Sequence, residues 1–140
     1  MNVREILEGA DAFPTIVTDA TVRAAAELMR THNVRAVPVV ENERLVGIVT
    51  DWDVVVALAA SGNDLAELPV SSIMTGDNLV TIEIETEVAD AIAKLQSHRV
   101  HHLPVLDGET YVGMVCLGLE WSEEGMLTPP LRPTLTARHP

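Results

Sequence analysis

Apolar positions recur along this chain in two rhythms. A short apolar run, "PTIVT", leads into a segment where Val22, Ala25, Ala26 and Met29 fall at i, i+3, i+4 and i+7, the spacing of one buried helix face. Two further runs, "AVPVV" and "LVGIVT", are joined by the polar "ENER", a pattern that predicts a β-hairpin. "DWDVVVALAAS" then predicts a closing helix. The same order returns downstream: "LVTIEI", a helix with Val88, Ala91, Ile92 and Leu95 on one face, then "HLPVL" and "YVGMVC" joined by "DGET". Asp19 or Thr21, and Thr86, are the expected N-caps, and His32 and His98 close the two helices where a charged imidazole complements the dipole.

The recurrence is a duplication. Setting Pro38 on Pro104 fixes an offset of 66 residues, and the same frame, without a gap, pairs Asp11 with Asp77, Thr15 with Thr81, Ile16 with Ile82, His32 with His98, Val39 with Val105 and Gly47 with Gly113. Each copy reads β-α-β-β-α, a small sheet with helices on one face, which alone would be marginally stable. The expected fold class is therefore α/β of the α+β type, with two such repeats packed through their sheets with pseudo-twofold symmetry and a cleft on either side. Residues 1–66 form the first repeat, 67–125 the second, and 126–140 a Pro-rich tail. That tail, with prolines at 129, 130, 133 and 140, is expected to run extended, as a free end or a strap on a second subunit.

Composition narrows the partners. Apolar residues make up 47% of the 140 positions and aromatics only 3%, so the core is built from Val, Ile, Leu, Ala and Met. A formal charge of −12, from 9 basic and 21 acidic residues, excludes nucleic acid and anionic membrane, which require a basic footprint. Cys116 is the single cysteine and falls in an apolar run, so no internal disulfide forms. "MNVREILEGA" lacks the pattern of a signal peptide and "VVVALAA" is too short to span a bilayer, so a soluble, cytoplasmic protein is expected.

Two stretches in register, "VRAVPVVENERLVGIVTDWDV" and "VHHLPVLDGETYVGMV", each with its helix upstream, resemble a tandem pair of cystathionine β-synthase (CBS) domains, the Bateman module, over roughly residues 1 to 125. The resemblance implies a stand-alone regulatory module rather than an enzyme, with no required cofactor. It also implies an adenosine ligand in a cleft: AMP, ADP or ATP ahead of S-adenosylmethionine or NAD. The family's ribose-contacting stretch matches "GIVTDWD", which places Thr50 and Asp53 on the ribose, and Gly47 is expected to let the backbone approach the ligand. The same residues also read as a capping box, Thr at N-cap and a carboxylate at N3, and the sequence leaves both readings open. The second copy has Cys116 and Leu119 at these positions, so one standard site is expected.

Arg35 and His101 occupy matching positions three residues before Pro38 and Pro104. They resemble the phosphate-contacting residues of AMP-sensing kinase γ subunits, so Arg35, His101 and His102 are assigned to phosphate. Ile16, Val17, Val37 and Ile48 are assigned to adenine, each being core by default. "SHRVHH" is read without a metal, since the helix should end before Val100 and the i, i+4 histidine spacing then loses its alignment. Trp52 reads equally as core or as a subunit contact. The function expected is adenine-nucleotide binding and energy sensing, as a homodimer, signalling to an unknown protein partner. The alternative is a ligand-independent dimerisation scaffold with degenerate clefts.

Overall fold

In the computed structural model, which describes residues 1–121 and 131–137, the chain separates into two compact units. The first-repeat unit comprises Pro14–Leu79 with Glu109–Tyr111. The second-repeat unit comprises Met1–Phe13, Val80–Gly108 and the chain from Val112 onward. These units cut the chain differently from a division at residue 66, because the N-terminal residues fold with the second repeat.

In the first-repeat unit, helix α2 (Val22–His32) starts at Thr21, whose side chain accepts a hydrogen bond from the amide of Ala24, and ends at Asn33 in the left-handed conformation. Val22 and Ala25 form its fully buried face. Strands β1 (Ala36–Glu41) and β2 (Arg44–Thr50) pair antiparallel through a two-residue turn. Asn42 and Glu43 both have positive φ there, the geometry a tight hairpin requires. Of "PTIVT" a single parallel bridge remains, Ile16 to Val39, and the far edge of β2 is bridged at Ile48 by Thr75. β1 is buried on both faces over Ala36–Val39, which is why it reads as an unbroken apolar run rather than an alternating one. Helix α3 (Asp51–Ser61) follows β2 directly.

The second-repeat unit repeats this plan and then departs from it. Strand β3 (Ile82–Glu83) pairs parallel with β4 (His102–Asp107), and Ile82 opposite Val105 reproduces the bridge of Ile16 to Val39. Helix α4 (Val88–His98) lies between them in sequence. Its N-cap is Glu87 without a side-chain cap bond, so the expected Thr86 cap is not made; the Thr86 amide is turned back to the carbonyl of Glu83. His98 ends the helix as expected, its Nδ1 3.0 Å from the carbonyl oxygen of Lys94. The core here gathers Val3, Ile82, Ile84, Ala91, Leu95, Leu103, Val105 and Val115.

The departure follows β4. Where the first repeat turns into α3, the second runs on as strand β5 (Thr110–Trp121), which pairs antiparallel with β6 (Leu131–Thr136) in a sheet of order β3-β4-β5-β6. The closing helix expected of a β-α-β-β-α unit is therefore absent from this repeat among the described residues. The cause is local. Thr50 and Asp53 cap α3, whereas Cys116 and Leu119 hold those places in the second copy, so nothing satisfies the first free amides of a helix. The Pro-rich tail is corrected by the same finding: Leu131–Thr136 is a strand of its own chain's sheet. Residues 122–130 and 138–140 lie outside the described residues.

The N-terminal helix α1 (Val3–Glu8), capped by Asn2, docks on the second repeat. The amide of Val3 donates to Thr86, that of Arg4 to Ile84, and that of Val88 to Met1. On the first repeat, the amide of Val70 donates to Ala20, that of Ser71 to Thr18, and that of Val22 to Leu68. The two sets are the same contacts, so "MNVREIL" and "LPVSSIM" are equivalent leading segments, each docked on the repeat that it does not immediately precede.

Candidate functional site

At the β2–α3 junction, Thr50 and Asp53 close a reciprocal capping box. The Asp53 amide donates to Thr50 Oγ1 at 3.1 Å, and the Thr50 amide donates to Asp53 Oδ2 at 2.9 Å. Both side chains are half-buried. The capping reading is thus realised, and it does not use up the chemistry. A carboxylate offers about four lone-pair sites and the cap takes one, while the Thr50 hydroxyl proton remains available to donate. Asp53 Oδ1 has no hydrogen-bond partner among the described residues. The cap therefore fixes the Asp53 carboxylate with Oδ1 left to accept further hydrogen bonds.

Arg35 stands across the same junction. Its carbonyl accepts from the Asp51 amide at 2.9 Å, and its Nε lies 3.4 Å from Asp51 Oδ2, with both side chains largely in solvent. Asp51 Oδ1 accepts from the Trp52 amide at 2.8 Å. Sequence reasoning passed over Asp51, although an acid at the first helical position, one strand away from an arginine, was a signal available to it.

Of the positions assigned to adenine, Ile16 is buried, Ile48 is half-buried on β2 and Val17 is 47% exposed. Val37 is fully buried opposite Val49, so it backs the wall and presents no surface. Thr50, Asp53, Arg35, Ile16, Val17, Val37 and Ile48 all belong to the first-repeat unit. His101 and His102 belong to the other unit, His101 exposed before β4 and His102 half-buried as its first residue. Gly47 has a packing task. A Cβ there would lie 2.5 Å from Met74 Sδ and 3.1 Å from the Thr75 carbonyl oxygen, so Gly47 makes room for its own chain's linker.

The second repeat offers less at the matching place. Cys116 is buried and its thiol is pushed up to about 12 by burial, which leaves it an inert packing group. Leu119 sits in β5 opposite Pro133, and its side chain lies outside the described residues. A hollow of about 90 Å³ in this unit, lined in part by Leu7, Phe13, Val112 and Met114, is far below the roughly 300 Å³ at which ligand pockets begin. No group of three or more His, Cys, Asp or Glu side chains among the described residues is placed to hold a metal, and no helix is long and apolar enough to cross a membrane.

The model of the CBS domain family matches residues 3–60 and 70–118. The chain belongs to the CBS-domain family. It carries the domain twice, as a CBS pair. CBS domain-containing protein YhcV of Bacillus subtilis is 38% identical over 104 residues, 74% of this chain and 73% of that protein. Other curated relatives are longer, the chain spanning 51% of one and 21% of another. Among solved structures, a CBS-domain protein from Agrobacterium tumefaciens aligns with a TM-score of 0.72 at 25% identity, covering 83% of this chain and 93% of that one. The CBS pair of protein MJ0100, solved in complex with 5′-methylthioadenosine and S-adenosyl-L-methionine, aligns with a TM-score of 0.67 at 28% identity, covering 83% of this chain and 89% of that one.

Proposed function

We propose that this CBS pair is a regulatory module that binds an adenosine-containing ligand at the β2–α3 junction of the first repeat and signals occupancy to a protein partner. The observation that carries this reading is the Asp53 carboxylate, held by Thr50 with one oxygen left to receive ribose hydroxyls. Val17 and Ile48 supply apolar surface for the base, and Arg35 the cation on the 5′ side. The complex of the MJ0100 pair with two adenosine derivatives supports the ligand class. Thermal unfolding with AMP, ADP, ATP, NAD, S-adenosylmethionine or 5′-methylthioadenosine tests it, because ligand at 100 times its Kd adds about 2.7 kcal/mol. The expected result is a rise with at least one ligand in the wild type and none in Asp53→Ala. Since the ligand-dependent increment is what is compared, the stability lost with the cap does not enter. No rise with any of them in the wild type would sink the proposal.

A second reading rests on α3. This helix buries none of its residues, and Trp52 (68% exposed), Val55, Val56 and Leu58 are open on it. An apolar helix of this kind suits self-association. In this reading the chain is a constitutive homodimer scaffold, and sedimentation of the wild type against Trp52→Glu tests it. A wild type that stays monomeric at micromolar concentration would remove it.

A further inference from the structure

We propose that Asp51 is a specificity residue of the first-repeat site, tuning it toward adenosines whose 5′ substituent is uncharged or cationic and away from polyphosphates. The inference deepens the adenosine reading above and rests on the ribose lying at Asp53.

The geometry gives Asp51 a fixed place. Its Oδ1 is held by the Trp52 amide at 2.8 Å and its Oδ2 faces Arg35 Nε at 3.4 Å, while its backbone amide donates to the Arg35 carbonyl. Arg35, the cation at this junction among the described residues, therefore already has an anion beside it. A phosphate reaching Arg35 must displace or share that partner, and it meets the carboxylates of Asp51 and Asp53 on the same turn of α3. The field of a chain with net charge −12 adds to the repulsion, more so for each further phosphate. A thioether leaves the Arg35–Asp51 pair intact. A sulfonium adds attraction to both acids.

The duplication shows that the fold does not need this acid for the crossing. In the second repeat His101 and Leu117 stand at the two positions, and the Leu117 amide still donates to the His101 carbonyl at 2.9 Å. An exposed ion pair of this kind contributes little to stability. Its consequence is felt by a ligand.

Titration calorimetry on the full chain, with ATP and 5′-methylthioadenosine as probes at about 0.15 M salt, separates the outcomes. The wild type is expected to bind 5′-methylthioadenosine more tightly than ATP. Asp51→Asn, which keeps an acceptor for the Trp52 amide, should tighten ATP about fivefold, the effect of removing one charge near a phosphate in a mostly aqueous setting. Its affinity for 5′-methylthioadenosine should stay within about twofold of wild type. Arg35→Gln should weaken ATP and spare the thioether. A wild type that prefers ATP, or an Asp51→Asn variant in which the ratio of the two affinities is unchanged, overturns the role of Asp51 while leaving the adenosine site standing. A wild type that binds neither probe overturns the site itself, and this inference with it.

Discussion

Gly47 and Gly113 occupy matching places in the two repeats and have the same task. A Cβ at Gly47 would stand 2.5 Å from Met74 Sδ, and one at Gly113 would stand 2.8 Å from Leu7 Cδ2. Met74 and Leu7 are themselves equivalent residues of the two leading segments. The glycines are therefore sockets, and their recurrence in the sequence reports the packing of the two leading segments. Ala at Gly47 crowds both Met74 and the Thr75 backbone carbonyl, an overpacking change of about 1–3 kcal/mol, whereas at Gly113 only the end of the half-buried Leu7 side chain must yield. Urea unfolding of Gly47→Ala should show a loss in that range, and Gly113→Ala a smaller one. A loss below about 0.5 kcal/mol in Gly47→Ala would mean that the 68–75 segment is not held this tightly.

At the scale of elements, the two hairpins differ in how their outer strands are tied. Glu41, at the end of β1, accepts on Oε1 from both the amide and the hydroxyl of Thr18, at 2.8 and 2.7 Å. These bonds, the hydroxyl bond first, hold its carboxyl below the ordinary value of 4.5. Since the folded-state value is the lower one, the stabilisation is present in full above the ordinary value and disappears as pH falls through the lowered one. In urea unfolding across about pH 3 to 6, Glu41→Gln should flatten part of the acid-side loss of stability. An acid limb identical to the wild type would exclude this contact as a contributor. In the second repeat Ile84 stands at the place of Thr18, and the Gly108 amide donates to Glu83 instead. The larger contrast is the closing helix: the chain after the hairpin coils into the capped α3 in the first repeat and continues as β5 in the second, where neither capping residue is present. Once it continues, its free edge is covered by β6, with Gly118 admitting Thr134, whose Oγ1 would lie 2.9 Å from a Cβ at that glycine.

At the scale of the molecule, the crossed leading segments bind the two halves of the sequence into one folding problem. α1 is encoded ahead of the first repeat, yet Val3 is fully buried in the core of the second, with Ile6 and Leu7 packed against it. Burial of Val3 alone is worth about 1.5–3 kcal/mol. Removal of residues 1–8 should therefore loosen the second repeat selectively. Hydrogen exchange is expected to show amides of α4 and β4 losing protection while those of α2 and β1 keep theirs. Uniform loss across both units, or none, would count against this division. The linker shares in this: the 68–75 segment is bonded to Ile48 of β2 and leads directly into the second repeat.

What the sequence determined by itself was everything written in local periodicity and in duplication. The face of α2, the two hairpins, the offset between repeats and the Thr50–Asp53 pair follow from residue spacing, because helix faces, turns and caps are set by neighbours a few positions apart. The lost cap at Cys116 and Leu119 was legible too, although its consequence, a strand in place of a helix, was not. Tertiary structure decided which repeat each leading segment completes, that Gly47 faces Met74, that Val37 is walled in, that Arg35 is paired with Asp51, and that the Pro-rich tail returns as β6. Each of these joins residues far apart in the chain. An apolar run or a proline-spaced tail states only that it will be covered or extended, and the partner that covers it is selected by packing and by unpaired backbone groups, which exist only once the rest of the fold is in place.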